Sequence, residues 1–202
     1  MIEVDTPHGV ARVHFRRVDD SRAWLVLGHG AGGGVGSKDL VAAAEGALEQ
    51  HVSVALVEQP YRVAGRRSPA PARQLDAAWI TVVERLCVDT LDGFPLIAGG
   101  RSSGARVACR TADATGAVGV LCLAFPLRPP RRSGDAPSRL PELEAVQVPT
   151  LVVQGGRDPF GIPPASPRRT VMQVAGDHSL RSDLPAVAAA VGTWLARIVD
   201  GS

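Results

Sequence analysis

The sequence has very little lysine, few cysteines, almost no net charge and no long uninterrupted apolar run. Lys38 is the only lysine among the 22 Lys and Arg residues, and the formal net charge at pH 7 is +2. A charge this small is no signature of nucleic-acid binding. The apolar stretches 117–125 and 184–199 are too short or too interrupted by polar residues to predict a membrane span.

The three cysteines, Cys87, Cys109 and Cys122, form no C-x-x-C pair. Each lies beside apolar residues, so we predict buried free thiols in a reducing compartment. The first residues show neither a basic region nor an apolar core typical of a signal peptide. We therefore expect a cytoplasmic protein with no membrane or nucleic-acid partner. No pair of potential metal ligands has the usual spacing, and we predict neither a metal nor another cofactor.

The length of 202 residues and the 45% hydrophobic content predict a single globular domain over 1–202. Short apolar runs alternate with stripes at helical spacing, which predicts a mostly parallel sheet with helices on both faces. Ligands of such sheets bind beyond the carboxyl ends of the strands. The predicted elements are a hairpin over 2–5 and 9–15, strands over 23–27, 52–57, 95–98, 118–125, 150–153 and 170–174, and helices over 40–48, 75–86, 104–111 and 184–198, with Ser37 and Asp183 as N-caps.

One segment, 126–149, interrupts this alternation with six prolines and four arginines. A connection of this length is usually functional or disordered. It follows the carboxyl end of a predicted strand, so we expect it to overhang the ligand site.

The pattern G-x-S-x-G occurs once, as Gly100, Ser102 and Gly104, between a predicted strand and a predicted helix. A serine nucleophile requires this spacing because it lies on a strained turn where strand and helix approach closely. Ser103 does not fit, since no glycine lies two residues before it. The pattern alone is also compatible with an ordinary glycine-rich helix start.

A serine hydroxyl needs a base, and a histidine base needs a carboxylate that fixes its tautomer. Of the five histidines, His178 follows the last predicted strand, at the edge where a base is needed. Asp158 follows the preceding strand and is the predicted acid. Glu58, which also follows a strand, is the rival, whereas Asp177 is too close in sequence to reach the ring of His178.

Backbone N–H groups must stabilise the oxyanion of the tetrahedral intermediate. The residue after the nucleophile, Ser103, is one predicted donor. The glycine-rich loop 28–34 follows an earlier strand, and Ala31 in this loop is the second candidate. We predict a structural rather than catalytic role for His29 in the same loop.

These motifs resemble the α/β-hydrolase superfamily, whose order of serine, acid and histidine matches Ser102, Asp158 and His178. More narrowly, they look like the small dienelactone-hydrolase-like branch related to a regulatory subunit of a histone-acetylation complex. The segments that carry this resemblance are 28–33, 100–106, 125–130, 157–161 and 176–180. Two residues depart from the pattern: dienelactone hydrolase proper has a cysteine nucleophile where this chain has Ser102, and Ala105 stands where a glycine is common.

The resemblance implies an α/β-hydrolase fold without a large lid domain and a serine hydrolase that cleaves a small acyl ester or thioester through an acyl-enzyme. Arginines on the long loop, Arg128 and Arg131 in particular, are predicted to contact substrate. Together with Arg132 and the arginines at 62, 66 and 67, they suggest an anionic substrate. The competing interpretation is a solvated arginine-rich surface.

Two other classes of function remain open at this stage. One is a non-catalytic interaction protein that keeps the hydrolase fold. The other is a nucleotide-binding oxidoreductase, because Gly28, Gly30 and Gly33 match a dinucleotide fingerprint and Glu58 follows the next strand. The same loop fails the phosphate-binding pattern of a P-loop, since Lys38 does not directly follow a glycine.

Overall fold

In the computed structural model, which describes residues 1–91, 93–128 and 137–201, an eight-stranded sheet forms the centre of the molecule. The strand order is β1-β2-β4-β3-β5-β6-β7-β8. The strands are β1 (Ile2–Thr6), β2 (Gly9–Arg16), β3 (Ala23–Gly28), β4 (Val52–Glu58), β5 (Leu96–Arg101), β6 (Gly119–Leu123), β7 (Thr150–Gly155) and β8 (Arg169–Val174). The helices are α1 (Lys38–Leu48), α2 (Pro60–Val63), α3 (Ala72–Asp89), α4 (Ser103–Thr111), α5 (Leu140–Glu144) and α6 (Leu184–Asp200).

The six strands from β4 to β8 in sheet order are parallel, and only the β1–β2 hairpin runs antiparallel. Residues of β3 are buried throughout because helices cover both faces of the parallel part. On one face, α3, α4 and α5 pack on side chains such as Val26 and Cys122. On the other, α1 and α6 pack on side chains such as Leu27 and Leu121. The predicted α/β-hydrolase architecture is therefore confirmed, and no lid domain interrupts the described parts of the chain.

The hairpin closes one edge of the sheet. Its turn is held by Thr6, whose Oγ1 donates to the carbonyl of Gly9 at 2.6 Å. The N-terminal position of the final helix was also predicted correctly, since the Asp183 carboxylate accepts the Ala186 N–H at 3.1 Å. Ser37 precedes α1 as predicted, but its side chain makes no capping hydrogen bond.

The prediction that all three cysteines are buried was wrong for Cys87, which is exposed. It follows Leu86, the last buried residue of α3, and one further residue turns the side chain about 100° around the helix toward solvent. Cys109 and Cys122 are buried as free thiols, with their sulfur atoms 3.5 Å apart.

Two short helices were not predicted. Helix α2 begins at Pro60 directly after β4, and α5 lies inside the proline-rich segment that was predicted to be a long loop. In both, proline occupies the first turn, where its missing N–H costs no hydrogen bond. No helix within the described ranges is long and apolar enough to cross a membrane.

Candidate active site

Ser102 lies at the sharp turn between β5 and α4. Its backbone has φ +52° and ψ −105°, a left-handed conformation that is costly for any residue with a side chain. The turn is held in place because the Ser102 N–H donates to the carbonyl of Leu123 on the neighbouring strand β6 at 2.9 Å. The hydroxyl is thereby fixed at the carboxyl edge of the sheet.

Both glycines of the G-x-S-x-G pattern are required by close backbone packing. A Cβ on Gly100 would lie 2.6 Å from the carbonyl oxygen of Gly28, and a Cβ on Gly104 would lie 2.3 Å from the same oxygen. These distances are far below van der Waals contact, so a side chain at either position would push the helix away from β3. This is the steric reason that the sequence pattern predicted.

His178 lies between Ser102 and Asp158 and forms hydrogen bonds with both. Its Nδ1 is 2.8 Å from Asp158 Oδ2, and its Nε2 is 3.0 Å from Ser102 Oγ. An ionised carboxylate can only accept, so Nδ1 carries the proton and Nε2 accepts from the serine hydroxyl. The imidazole is partly exposed, with 18% of its side-chain surface accessible, while the Asp158 side chain is fully buried.

Three donors hold the buried Asp158 carboxylate. Besides His178, the side-chain amide of Gln154 donates to Oδ2 at 2.8 Å, and the Phe160 N–H donates to Oδ1 at 2.9 Å. The same Gln154 amide nitrogen lies 2.9 Å from the Gly161 carbonyl, which anchors the loop carrying the acid. Sequence reasoning missed Gln154, although a polar residue within the otherwise apolar strand β7 is a usable signal.

Phe160 packs against the imidazole of His178. The two ring centroids are 4.4 Å apart and the ring planes are inclined by 48°. The aromatic ring therefore limits the tilt of the imidazole from the side opposite to no charged group of its own, and it adds apolar contact beside the Nδ1–Oδ2 hydrogen bond.

The loop that carries Ala31 begins beside the turn that carries Ser103. Gly28 of β3 pairs with Gly100 of β5 in parallel register, so the two loops leave the sheet side by side. Within the described residues, neither the Ala31 N–H nor the Ser103 N–H donates a hydrogen bond. Both remain available to a ligand oxygen.

His29 and Tyr61 hold the Ala31 loop in place. His29 Nδ1 lies 2.8 Å from the Gly30 carbonyl, while its Nε2 accepts the Gln59 N–H at 3.1 Å. The Tyr61 hydroxyl donates to the Ala31 carbonyl at 3.0 Å, and burial raises the pKa of this phenol to about 12, so it remains a donor at neutral pH. Sequence reasoning assigned His29 a structural role but gave no role to Tyr61.

The other acidic candidates lie elsewhere. Glu58 faces His14, with 3.8 Å between Oε2 and Nε2. Asp177 accepts the Ser179 N–H and hydroxyl at 2.9 and 2.7 Å. These Ser179 hydrogen bonds lower the pKa of the Asp177 carboxyl group. The structure thus brings Asp158, and neither rival, to the ring of His178.

Of the predicted substrate-binding arginines, Arg128 is exposed and Arg131 lies outside the described residues. The Arg128 N–H donates to the Phe160 carbonyl at 2.9 Å, so its backbone is next to the residue that packs on His178. Arg62 donates to the Arg66 carbonyl at 3.4 Å. No group of His, Cys, Asp or Glu in the described part of the chain has an arrangement suited to a metal ion.

Comparison with solved structures shows the same fold in several proteins. XC6422 from Xanthomonas campestris, described as an α/β serine hydrolase without a lid, has a TM-score of 0.77 and 19% identity, with 97% of this chain and 93% of that chain covered. Est1E from Butyrivibrio proteoclasticus, solved with ferulic acid, has a TM-score of 0.81 and 14% identity, with 99% and 100% covered. A dienelactone hydrolase from Anabaena variabilis has a TM-score of 0.74 and 15% identity, with 97% and 95% covered.

At these identities the likeness concerns the fold alone. No curated protein sequence matches the chain, and none of the findings bears on a relation to a histone-acetylation complex. A family model, in contrast, matches residues 21–183, which include the glycine-rich loop, the Ser102 turn, Asp158 and His178. By this match, the chain belongs to the family described as the alpha/beta hydrolase domain.

Proposed function

We propose that this protein is a serine hydrolase that cleaves a carboxylic ester or thioester through an acyl-enzyme intermediate. The observation that carries the proposal is the unbroken hydrogen-bonded series from Ser102 Oγ through the imidazole of His178 to Asp158, with spacings of 3.0 and 2.8 Å. Such a series activates an otherwise weak hydroxyl nucleophile. The position of Ser102 on a strained strand-to-helix turn supports the same role.

In the acylation step, Ser102 Oγ forms a bond to the carbonyl carbon of the substrate and gives its proton to His178 Nε2. The carbonyl oxygen becomes an oxyanion that accepts hydrogen bonds from the N–H groups of Ala31 and Ser103. When the C–O or C–S bond of the ester or thioester breaks, the proton passes from Nε2 to the leaving group. The acyl group then remains on Ser102.

In the deacylation step, His178 Nε2 takes a proton from water as the water oxygen attacks the acyl carbon. The bond to Ser102 Oγ breaks, Oγ regains the proton, and the carboxylic acid leaves. Asp158 stays ionised throughout and stabilises the imidazolium that forms transiently. The Phe160 N–H and the Gln154 amide keep that carboxylate oriented. The proposed mechanism requires no cofactor.

For the substrate we propose a small ester or thioester that carries a negative charge. The exposed Arg128, whose backbone is bonded to Phe160 beside the imidazole, supports this proposal, and Arg131 is retained from the sequence as a second contact. Rates for acetyl, long-chain and carboxylate-bearing esters should be compared over a range of salt concentrations. Equal rates for neutral and anionic esters at all salt concentrations would remove the proposal.

The direct test is covalent labelling of the purified protein by a fluorophosphonate probe. We expect the wild-type protein and Ser37→Ala to be labelled and Ser102→Ala to be unlabelled, with ester hydrolysis lowered by more than about 10⁴-fold in Ser102→Ala. Ser37 is a suitable control because its hydroxyl lies before α1 and has no hydrogen-bond partner among the described residues. Equal labelling of the wild type and Ser102→Ala would contradict the proposal.

Absence of labelling in the wild-type protein would instead favour a non-catalytic interaction protein with this fold. The nucleotide-binding alternative has less support. Gly28 lies against Trp79 and Gly104, and Gly30 lies against Arg101, so packing inside the protein explains two of the three glycines that suggested a dinucleotide.

A further inference from the structure

Arg101, the residue immediately before Ser102, connects three parts of the candidate active site. Its Nε donates to Asp39 Oδ2 at 2.9 Å, and its Nη2 donates to the backbone carbonyl of His178 at 3.2 Å. A Cβ on Gly30 would lie 2.7 Å from Nη1 of Arg101, so the guanidinium also lies against the loop that carries Ala31. One side chain thus contacts the histidine loop, the Ala31 loop and α1.

Asp39 fixes the position of this guanidinium. Its side chain is only 2% exposed, and a buried carboxylate without a partner would be strongly unfavourable. Oδ1 accepts the Leu40 N–H at 3.0 Å, and Oδ2 accepts from Arg101. The carboxylate also lies in the first turn of α1, where the helix dipole favours a negative charge.

The shape of arginine allows the separate contacts to be made at once. The guanidinium is planar and rigid and presents donors on three nitrogens in fixed directions. With Nε held on Asp39, the direction of Nη2 toward the His178 carbonyl is set. Lysine has a single nitrogen, so a lysine side chain paired with Asp39 could not reproduce this rigid arrangement.

We propose that the buried Arg101–Asp39 pair positions the backbone of His178 so that its imidazole stays within hydrogen-bonding distance of Ser102. Arg101 is a positioning residue, because its printed contacts are to Asp39 and to a backbone carbonyl rather than to the reacting atoms. The catalytic meaning of this positioning rests on the proposed hydrolase function, whereas the effect on the His178 imidazole does not.

The test compares the wild-type protein with Arg101→Met, Arg101→Lys and the control Arg85→Met. Arg85 pairs with Asp89 on the exposed face of α3 and has a side-chain exposure of 62%, so its replacement removes an ion pair of the same type away from the site. Thermal unfolding of each variant establishes which variants are folded at the assay temperature. Arg101→Lys keeps a positive charge beside Asp39 and is the decisive variant should Arg101→Met fail to fold.

Two readouts follow. For hydrolysis of p-nitrophenyl acetate, we expect kcat to fall about 10- to 100-fold in Arg101→Met and Arg101→Lys, as for a small misplacement of a reacting group, with KM changed less than about 3-fold. In ¹⁵N-histidine-labelled protein, we expect the proton signal of His178 Nδ1–H, identified by its loss in His178→Gln, to be present in the wild type and Arg85→Met. We expect this signal to be broadened or lost in both Arg101 variants.

Wild-type kcat and an intact Nδ1–H signal in folded Arg101→Lys would overturn the proposal, since Arg101 would then only neutralise Asp39. If the wild type neither hydrolyses esters nor reacts with fluorophosphonate, the proposed function fails, and the Nδ1–H signal alone decides whether Arg101 positions the imidazole. A lost signal in Arg101→Lys supports the positioning role in either case.

Discussion

At the scale of single residues, His29 shows how a buried polar side chain supports the site without touching the reacting groups. One ring nitrogen contacts the Gly30 carbonyl and the other accepts the Gln59 N–H. This pair of hydrogen bonds requires the neutral ring, because a protonated imidazole has no acceptor nitrogen. Burial lowers the pKa of His29 from its ordinary value of 6.5.

This lowered pKa predicts how stability depends on pH. Below pH 6.5 the unfolded chain binds a proton at position 29 that the folded protein does not, so the contribution of His29 is present above this pH. It is lost as the pH falls toward the folded-state value. We expect the wild type to lose unfolding free energy more steeply than His29→Gln between pH 7 and 5, by at most about 1.4 kcal/mol per pH unit. Urea denaturation over this range measures the difference, and parallel curves would contradict it.

At the scale of elements, the junction of β5 and α4 depends on how closely α4 approaches β3. Gly104 lies in the first turn of α4, and a Cβ there would be 2.3 Å from the Gly28 carbonyl oxygen and 2.9 Å from that of His29. Both contacts are with backbone atoms, which cannot rotate away. The start of α4 and the Ala31 loop are therefore coupled through this one position.

We expect Gly104→Ala to destabilise the protein by about 1–3 kcal/mol and to reduce fluorophosphonate labelling of Ser102, because α4 must move away from β3. Gly36→Ala is the matched control, since a Cβ on Gly36 meets no atom within 4 Å. Denaturant unfolding and labelling rates of both variants measure the effect. Wild-type stability and labelling in Gly104→Ala would show that this junction is less tightly packed than the distances indicate.

At the scale of the whole molecule, the sheet and the last helix join distant parts of the chain. The sheet includes residues from Ile2 to Val174, and α6 then packs against α1 near its start. A Cβ on Gly46 of α1 would lie 2.3 Å from the carbonyl oxygen of Ala188 in α6. Neither end of the chain forms a core of its own, which supports our proposal that residues 1–202 fold as a single domain.

A single domain predicts one cooperative unfolding transition. We expect calorimetry to give one peak for the wild type and one peak at lower temperature for Gly46→Ala, whose stability should fall by about 1–3 kcal/mol because the added methyl group meets the backbone of α6. Two separate transitions in the wild type, or a Gly46→Ala variant in which only part of the protein unfolds early, would contradict the single-domain proposal.

Most strands and helices could be predicted because their signals are local. The apolar run of β3 and the stripe of Leu75, Trp79, Val82 and Leu86 in α3 each show the period of the element that they form. Helix α5 could not be predicted in this way, since it has five residues and lies within a proline-rich segment. Cys87 was misplaced because its apolar neighbours say nothing about which side of the helix faces solvent.

The sequence by itself determined the class of fold and the three residue types of the candidate triad, since strand-to-helix glycines and polar residues after apolar strands are readable in order along the chain. Only the tertiary structure decided that Asp158 rather than Glu58 meets His178, and that Gln154 and Tyr61 hold the acid and the Ala31 loop. The same holds for the contact of Arg101 with the histidine loop. These contacts join residues whose spacing has no period, because they depend on how neighbouring strands are ordered in the sheet and where the loops at its edge meet.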